Sequence, residues 1–355
     1  MKVLFLYRYG ILGGVCTQLF HRLRHLPKSS NLEIHCGFRS DHGVKAMLEG
    51  YATLHFGLNK ETTTTFLHNN NFDLIIIIDT EEYIEAVEEA DIDSKVLVEV
   101  HTSIERNLDY LTRINPDVID GFVTVSNYMV GRIKHHVSDE LKDKPVSIFT
   151  NVLDSDLFSN ISVDVNGPPI IGWVGKIDDH KDWRAFMQIS KIVSQEHSYA
   201  EFWIIGGQTC PENKVQEVFD FAEEMEIISR FRWIDRIENV KMSLLYSLIA
   251  KRGGLSLVTS HCESFGMSVL ESLLSGCPVV STNVGALPEI IPKSSYFQLY
   301  ELADHQNGAQ KAIEIIGKSS KINQELQSIR DELITKYDSS MRSIDYWNML
   351  QEMVE

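Results

Sequence analysis

The run Phe72–Asp79, FDLIIIID, narrows the choice of fold more than any other stretch of the chain. Its apolar residues are continuous rather than alternating. A strand built from it must be covered on both faces, as the inner strands of a parallel sheet are. Parallel neighbours require crossover connections, usually helices. The sequence supplies them. Lys2–Tyr7 reads as a strand, followed by Gly10, Gly13 and Gly14, and then by helical spacing over Val15–Leu26. Further strands are expected at Leu32–Phe38, Val96–Val100, Gly121–Val125 and Pro145–Phe149, with a helix over Asn127–His136. Thr62–Thr65 and Asn69–Asn71 read as a turn and a loop.

The polar stretch Phe158–Pro169 reads as an interdomain linker. The alternation then restarts with strands at Ile170–Gly175, Ala200–Ile205, Phe231–Ile234 and Leu255–Val258. Helices are expected over Trp183–Gln195, Lys214–Met225 and Lys241–Ala250. Gln306–Tyr337 reads as largely helical, and Ser339–Val354 as a last amphipathic helix. Two successive α/β units of this kind, over 1–160 and 168–335, imply two Rossmann-like domains with a ligand in the cleft between them.

Composition limits the ligand. Fifty acidic against 33 basic residues give a net charge of -17, which argues against nucleic acid as the main partner. Five scattered cysteines without a CxxC pair suit a reducing compartment and no disulfide or zinc framework. The apolar start MKVLFLYRY is too short for a signal peptide, so a cytoplasmic location is expected, with peripheral membrane contact open. His21, Arg22, Arg24, His25 and Lys28 make the first helix basic. That pattern reads as a solvated face or as a contact with anionic lipid.

The chemistry concentrates in ESFGMSVLESLLSGCPVVSTNVGALPEI, Glu263–Ile290. A helix starting near Gly266 would point its free N–H groups and dipole at one spot, which suits a phosphate. Glu263 before that helix and Glu271 inside it would repel the anion, so accepting hydrogen bonds from sugar hydroxyls is their better use. Lys176 and Lys181 follow a strand in GKIDDHK and could clamp a diphosphate. His101 ends the apolar strand in VEVHTS, where ligands bind in doubly wound sheets. Gly13-Gly14 is not a GxGxxG fingerprint, but it can form a tight backbone loop. The neighbours His261, Cys262 and Glu263 cannot all face one ion, so no metal site is expected.

Assembled, these residues resemble a retaining glycosyltransferase of the two-domain GT-B type, of the family 4 (group 1) kind. ESFGMSVLE is similar to that family's Glu-x7-Glu motif, SGCPVVSTNVGALPEI to its continuation, and GWVGKIDDHKDW to its strand–Gly–Arg–x4–Lys element. Gly13-Gly14, VHTS and TNVLDSDLF match first-domain elements. The resemblance implies an α/β GT-B fold: two Rossmann-like domains facing across a deep interdomain cleft, with the helix 336–355 crossing back to the first. The first domain would bind the acceptor and the second a nucleotide-sugar donor.

By the same resemblance, Lys176 and Lys181 would hold the donor diphosphate and Glu263 the sugar hydroxyls. Ser264, Phe265, Gly266 and Met267 would contact sugar and phosphate, Glu271 the ribose, and Ile237 the base. His101 would lie beside the reacting face of the sugar and Gly14 near phosphate and acceptor. Asn151, Asp154 and Phe158 would be structural. Lys176 stands where the family has Arg, which loses a bidentate fork. Ala286 replaces the second Gly of a Gly-Gly turn, and Val152-Leu153 depart from the family's order.

The implied reaction moves a sugar from a nucleotide diphosphate, most simply UDP-glucose or another UDP-sugar, to an acceptor hydroxyl with retention. It needs no cofactor and no metal. Polysaccharide or glycolipid biosynthesis, with a saccharide or lipid-linked acceptor, is the expected setting. A UDP-sugar 2-epimerase of the same fold and a non-catalytic sugar-nucleotide-binding subunit are the alternatives.

Overall fold

A computed structural model describes residues 1–26, 31–207, 210–291, 294–316 and 323–354. Lys28 lies outside them. The described chain divides into two units, Met1–Leu153 with Tyr337–Glu355, and Asp154–Lys336.

The first unit is built on β1 (Lys2–Tyr7), β2 (Tyr9–Ile11), α1 (Gly14–Arg24), β3 (Glu33–Gly37), β4 (Ser40–His42), α2 (Val44–Leu48), β5 (Thr53–His55), α3 (Lys60–His68), β6 (Leu74–Ile78), α4 (Glu81–Ala90), β7 (Lys95–Val100), β8 (Gly121–Thr124), α5 (Asn127–His136) and β9 (Val146–Ile148). Seven strands form one sheet in the order β5-β3-β1-β6-β7-β8-β9, and its ladders are parallel. β2 and β4 form a separate parallel pair. FDLIIIID lies at the centre of the main sheet. Every residue of β6 is buried, as its unbroken apolar run requires.

The second unit repeats the plan with β10 (Ile170–Val174), α6 (Trp183–Glu196), β11 (Glu201–Ile205), α7 (Glu212–Glu224), β12 (Phe231–Ile234), α8 (Met242–Lys251), β13 (Leu255–Val258), α9 (Met267–Leu274), β14 (Val279–Thr282), α10 (Leu287–Ile290), β15 (Phe297–Tyr300), α11 (His305–Ile316) and α12 (Asn323–Tyr337). Its sheet order is β12-β11-β10-β13-β14-β15, again with parallel ladders. The chain then ends in α13 (Ser339–Val354), which belongs to the first unit. Its Tyr346 packs on Phe149 with ring centroids 4.5 Å apart.

Both sheets reverse winding direction once, between β1 and β6 in the first and between β10 and β13 in the second. At such a switch point the loops leaving the two strands diverge and open a crevice at their C-terminal ends.

Three local expectations need correction, and one strand went unread. Thr62–Thr65 is not a turn but part of α3, because Asn59 and Thr62 form a reciprocal capping box that starts the helix. The basic face of α1 is not a solvated patch. His21 and Arg22 are buried, and Arg24 and His25 are half-buried. Helical spacing puts Arg22 on the inward stripe with Gln18 and Leu19, and a buried carboxylate receives it. The polar stretch 158–169 lies within the second unit. Phe158 is buried, and the Ile161 N–H donates to the Ser247 hydroxyl of α8 at 2.9 Å. The third strand pairing of the first sheet, through β5, had no sequence signal. Its three residues carry too little pattern to read.

Candidate functional site

In the second unit the two loops at the switch point carry the residues that the sequence singles out. The loop after β10 holds Lys176 and Lys181, and the loop after β13 holds Glu263 to Gly266. The first loop is pinned by its own polar groups. Asp178 accepts from the Lys181 N–H at 2.9 Å, and Asp182, in the left-handed region with φ 50°, caps α6 by accepting from the Ala185 N–H at 3.0 Å. The two loops are then tied together. Thr259 accepts from the Trp173 indole at 2.9 Å and its hydroxyl faces the carbonyls of Lys181 and Asp182, each at 2.8 Å. The His261 N–H donates to the His180 carbonyl at 2.9 Å, and the His261 ring meets Asp182 at 3.0 Å.

That frame brings Lys181 to Glu263. Lys181 Nζ lies 2.6 Å from Glu263 Oε1, and the Ser260 hydroxyl donates to the same oxygen at 2.7 Å. Burial by itself would push the Glu263 carboxyl up. Lys181, with the Ser260 hydroxyl and His180, outweighs burial and holds it below the usual carboxylate range. Burial and the neighbouring Lys181 push His180 down. Lys176 is exposed and has no ion pair among the described residues. The structure therefore joins one of the two lysines to the glutamate and leaves the other facing solvent.

The backbone around Glu263 leaves no room for side chains. Gly285 has φ 58°, and a Cβ there would stand 2.1 Å from the Glu263 carbonyl. The next residue, Ala286, donates its N–H to that carbonyl at 2.9 Å. Gly266 has φ 98° and turns the chain into α9, whose N-terminus no side chain caps. Phe265 is buried beneath the turn, while Ser264 and Met267 are half-buried.

Glu271, one turn into α9, is in a different state from Glu263. No cation pairs with it among the described residues, and burial pushes its carboxyl up to about 8, against a small opposite pull from the Tyr246 hydroxyl. The two glutamates are therefore pushed in opposite directions, Glu263 down by its cation and Glu271 up by burial. Ile237 lies in the loop after β12, half-buried.

In the first unit, Gly14 is the exposed first residue of α1, and a Cβ there would meet nothing within 4 Å. His101 follows β7. Its backbone N–H and that of Thr102 donate to Asp79 at 3.1 and 3.0 Å, and its ring Nε2 lies 2.7 Å from Glu99 Oε1. Sequence reasoning passed over Asp79, Glu99, Ser260, Asp178 and Asp182. Glu99 alone had a readable signal, as one charge inside the apolar strand KVLVEV. Asn151, Asp154 and Phe158 are buried.

The profile of the family described as glycosyl transferases group 1 matches residues 154–325. The chain is 23% identical over 185 residues to the 2-deoxystreptamine N-acetyl-D-glucosaminyltransferase of Niallia circulans, covering 52% of this chain and 46% of that protein. It is 29% identical over 144 residues to an uncharacterized 41.2 kDa protein in the cps region of Klebsiella pneumoniae, covering 41% and 35%. The chain thus spans less than half the length of these curated relatives. Among solved structures, Anabaena HepE in complex with UDP and glucose superposes with a TM-score of 0.83 at 16% identity, over 99% of this chain and 100% of that one. The sucrose-phosphate synthase of Thermosynechococcus elongatus superposes with a TM-score of 0.77 at 13% identity, over 99% and 98%.

Two parallel α/β sheets with this superposition define a protein of the GT-B glycosyltransferase fold. The match to the group 1 glycosyl transferase family lies in the second unit, over residues 154–325. Among the described residues, no helix is long and apolar enough to cross a membrane.

Proposed function

We propose that the chain is a retaining glycosyltransferase that moves a sugar from a nucleotide diphosphate sugar, a UDP-sugar in the simplest case, to an acceptor hydroxyl. The second unit binds the donor and the first the acceptor. The observation that carries this reading is the Lys181–Glu263–Ser260 cluster beside the uncapped N-terminus of α9, within the region that matches the family.

In this reading the donor diphosphate approaches the N-terminus of α9, where the dipole and backbone favour an anion. Lys181 is already at the site, and exposed Lys176 joins it from the same loop. Together they stabilise the charge that grows on the departing diphosphate. Glu263 remains ionised and accepts hydrogen bonds from sugar hydroxyls. Glu271 takes the ribose, Ile237 the base, and Ser264 to Met267 the sugar and phosphate. His101 and Gly14 keep the acceptor-side roles that the resemblance implies. No nucleophile is needed if the leaving diphosphate itself accepts the proton of the incoming hydroxyl on the same face. With two lysines and a helix terminus neutralising the diphosphate, transfer proceeds without a metal and continues in excess EDTA. UDP-sugar 2-epimerisation is not part of this reading, and donor incubated alone stays unepimerised.

Supporting relatives include a UDP- and glucose-bound structure of the same fold and a protein encoded in a cps region. The first favours a UDP-linked donor, and we place the reaction in polysaccharide or glycolipid assembly on the cytoplasmic side. The test is a thermal-shift panel of UDP-, GDP- and ADP-sugars. A ligand at a hundredfold excess over its Kd stabilises the native state by about 2.7 kcal/mol, a clear rise in midpoint. Transfer assays with the responding donor then read the product anomer. A panel in which no nucleotide sugar moves the midpoint sinks the proposal.

A further inference from the structure

The first unit holds a chain of polar groups that runs from its last helix to His101. Arg22 of α1 is fully buried, with its guanidinium 5.1 Å from the ring centroid of Phe149 and 5.2 Å from that of Tyr346 in α13. It pairs with Glu99, also fully buried. The oxygen that Arg22 contacts, Glu99 Oε1, is the one that lies 2.7 Å from His101 Nε2. An oxygen that faces a guanidinium, which only donates, acts as an acceptor. The ring nitrogen on its other side must therefore carry a hydrogen.

We propose that Glu99, anchored by Arg22, is a positioning residue that fixes His101 with Nε2 protonated and leaves Nδ1 as the ring nitrogen that can meet a ligand. The proposal rests on the reading above, in which His101 serves sugar transfer. Two further observations agree with it. Burial would raise the Glu99 carboxyl, but Arg22 and His101 outweigh burial and hold it at about 2, so it stays an acceptor throughout the physiological range. Asp79, in the left-handed region with φ 41°, accepts the N–H groups of both His101 and Thr102, so the backbone is fixed as well as the ring. Among the described residues no hydrogen bond is made by His101 Nδ1. A histidine whose second nitrogen is tied to a carboxylate has a defined tautomer and a defined face, which matters only if the first nitrogen has work to do.

The test is nitrogen-15 NMR of histidine-labelled full-length chain, with His101 assigned by its absence from the His101→Ala spectrum. The parent should show a protonated Nε2. Glu99→Gln keeps an acceptor oxygen in place and should preserve that signature. The double variant Arg22→Leu with Glu99→Leu removes the acceptor without stranding a charge, and His101 should then show mixed tautomers. Sugar transfer should follow the spectrum. The double variant should lose roughly 10- to 100-fold in kcat, the usual cost of losing an orienting partner, while KM for the donor stays unchanged, and Glu99→Gln should retain most of the rate. Protonated Nδ1 with bare Nε2 in the parent overturns the proposal whatever the variants do. So does a double variant with parent spectrum and parent kcat. A His101→Ala chain that transfers at the parent rate instead removes His101 from the reaction, and the tautomer alone then decides the geometry.

Discussion

Each unit places a glutamate against a cation near the C-terminal end of an inner strand, and the two pairs differ in what they can do. Arg22 and Glu99 are each about 1% exposed and sit under aromatic rings. Lys181 is 27% exposed, and its partner Glu263 is 10% exposed. Both carboxyls are held low by their cations. Arg22 has no route to a ligand, so its pair can only orient what touches it. Lys181 has its ammonium at the rim of a loop, on a flexible stem, and can leave one oxygen anion for another. Similar local electrostatics are thus sealed from water in the first unit and open to it at the lysine end in the second.

The comparison fails first if the brace is removable. Arg22→Leu leaves Glu99 buried without its main counter-charge and should cost about 3–5 kcal/mol in urea or guanidinium unfolding. Adding Glu99→Leu should recover most of that loss, since a buried pair replaced by well-packed apolar side chains is close to neutral. A single variant that unfolds at the parent midpoint would show that the pair is not a brace.

Lys181→Ala should behave in the opposite way. Its stability should fall by less than that of Arg22→Leu, because water reaches the lysine end of the pair. Sugar transfer should fall by about 3 kcal/mol in transition-state stabilisation, the scale of losing one oxyanion donor. Transfer at the parent rate would remove Lys181 from the donor clamp.

These two variants also mark where sequence reasoning stops. The alternation of strands and helices was legible because its signals are local: FDLIIIID needs burial on both faces, whatever lies far away in the chain. Lys181 and Glu263 were legible separately through their motifs. Their contact was not, since 82 residues and the tie at Thr259 separate them. Arg22 misled for a related reason. A cluster of basic residues on one helix reads as a solvated face, and only the acceptor on β7, 77 residues away, explains why Arg22 turns inward. Thr62 misled because a run of threonines looks loop-like until Asn59 is recognised as its reciprocal cap.

Glu271 is a third case, a half-buried carboxyl given neither brace nor clamp. With its folded value raised from 4.5 to about 8, the free chain binds a proton that the unfolded chain releases, so this group lowers stability progressively as pH rises from about 4.5 to about 8. If ribose hydroxyls donate to Glu271, the bound state needs the carboxylate, and donor binding must expel the proton. Affinity for UDP-glucose, whose diphosphate diester does not titrate here, should then rise with pH by up to tenfold per unit below about 8, and level off above it. Calorimetry at pH 7 in buffers of different ionisation enthalpy should register the released proton. Glu271→Gln should bind more weakly and lose the pH dependence. A parent chain with the same affinity at pH 6 and pH 8 would mean that binding leaves the protonation of Glu271 unchanged, as when the carboxyl keeps its proton and donates to the ribose. The two glutamates of one motif would then differ in chemistry as well as in partner.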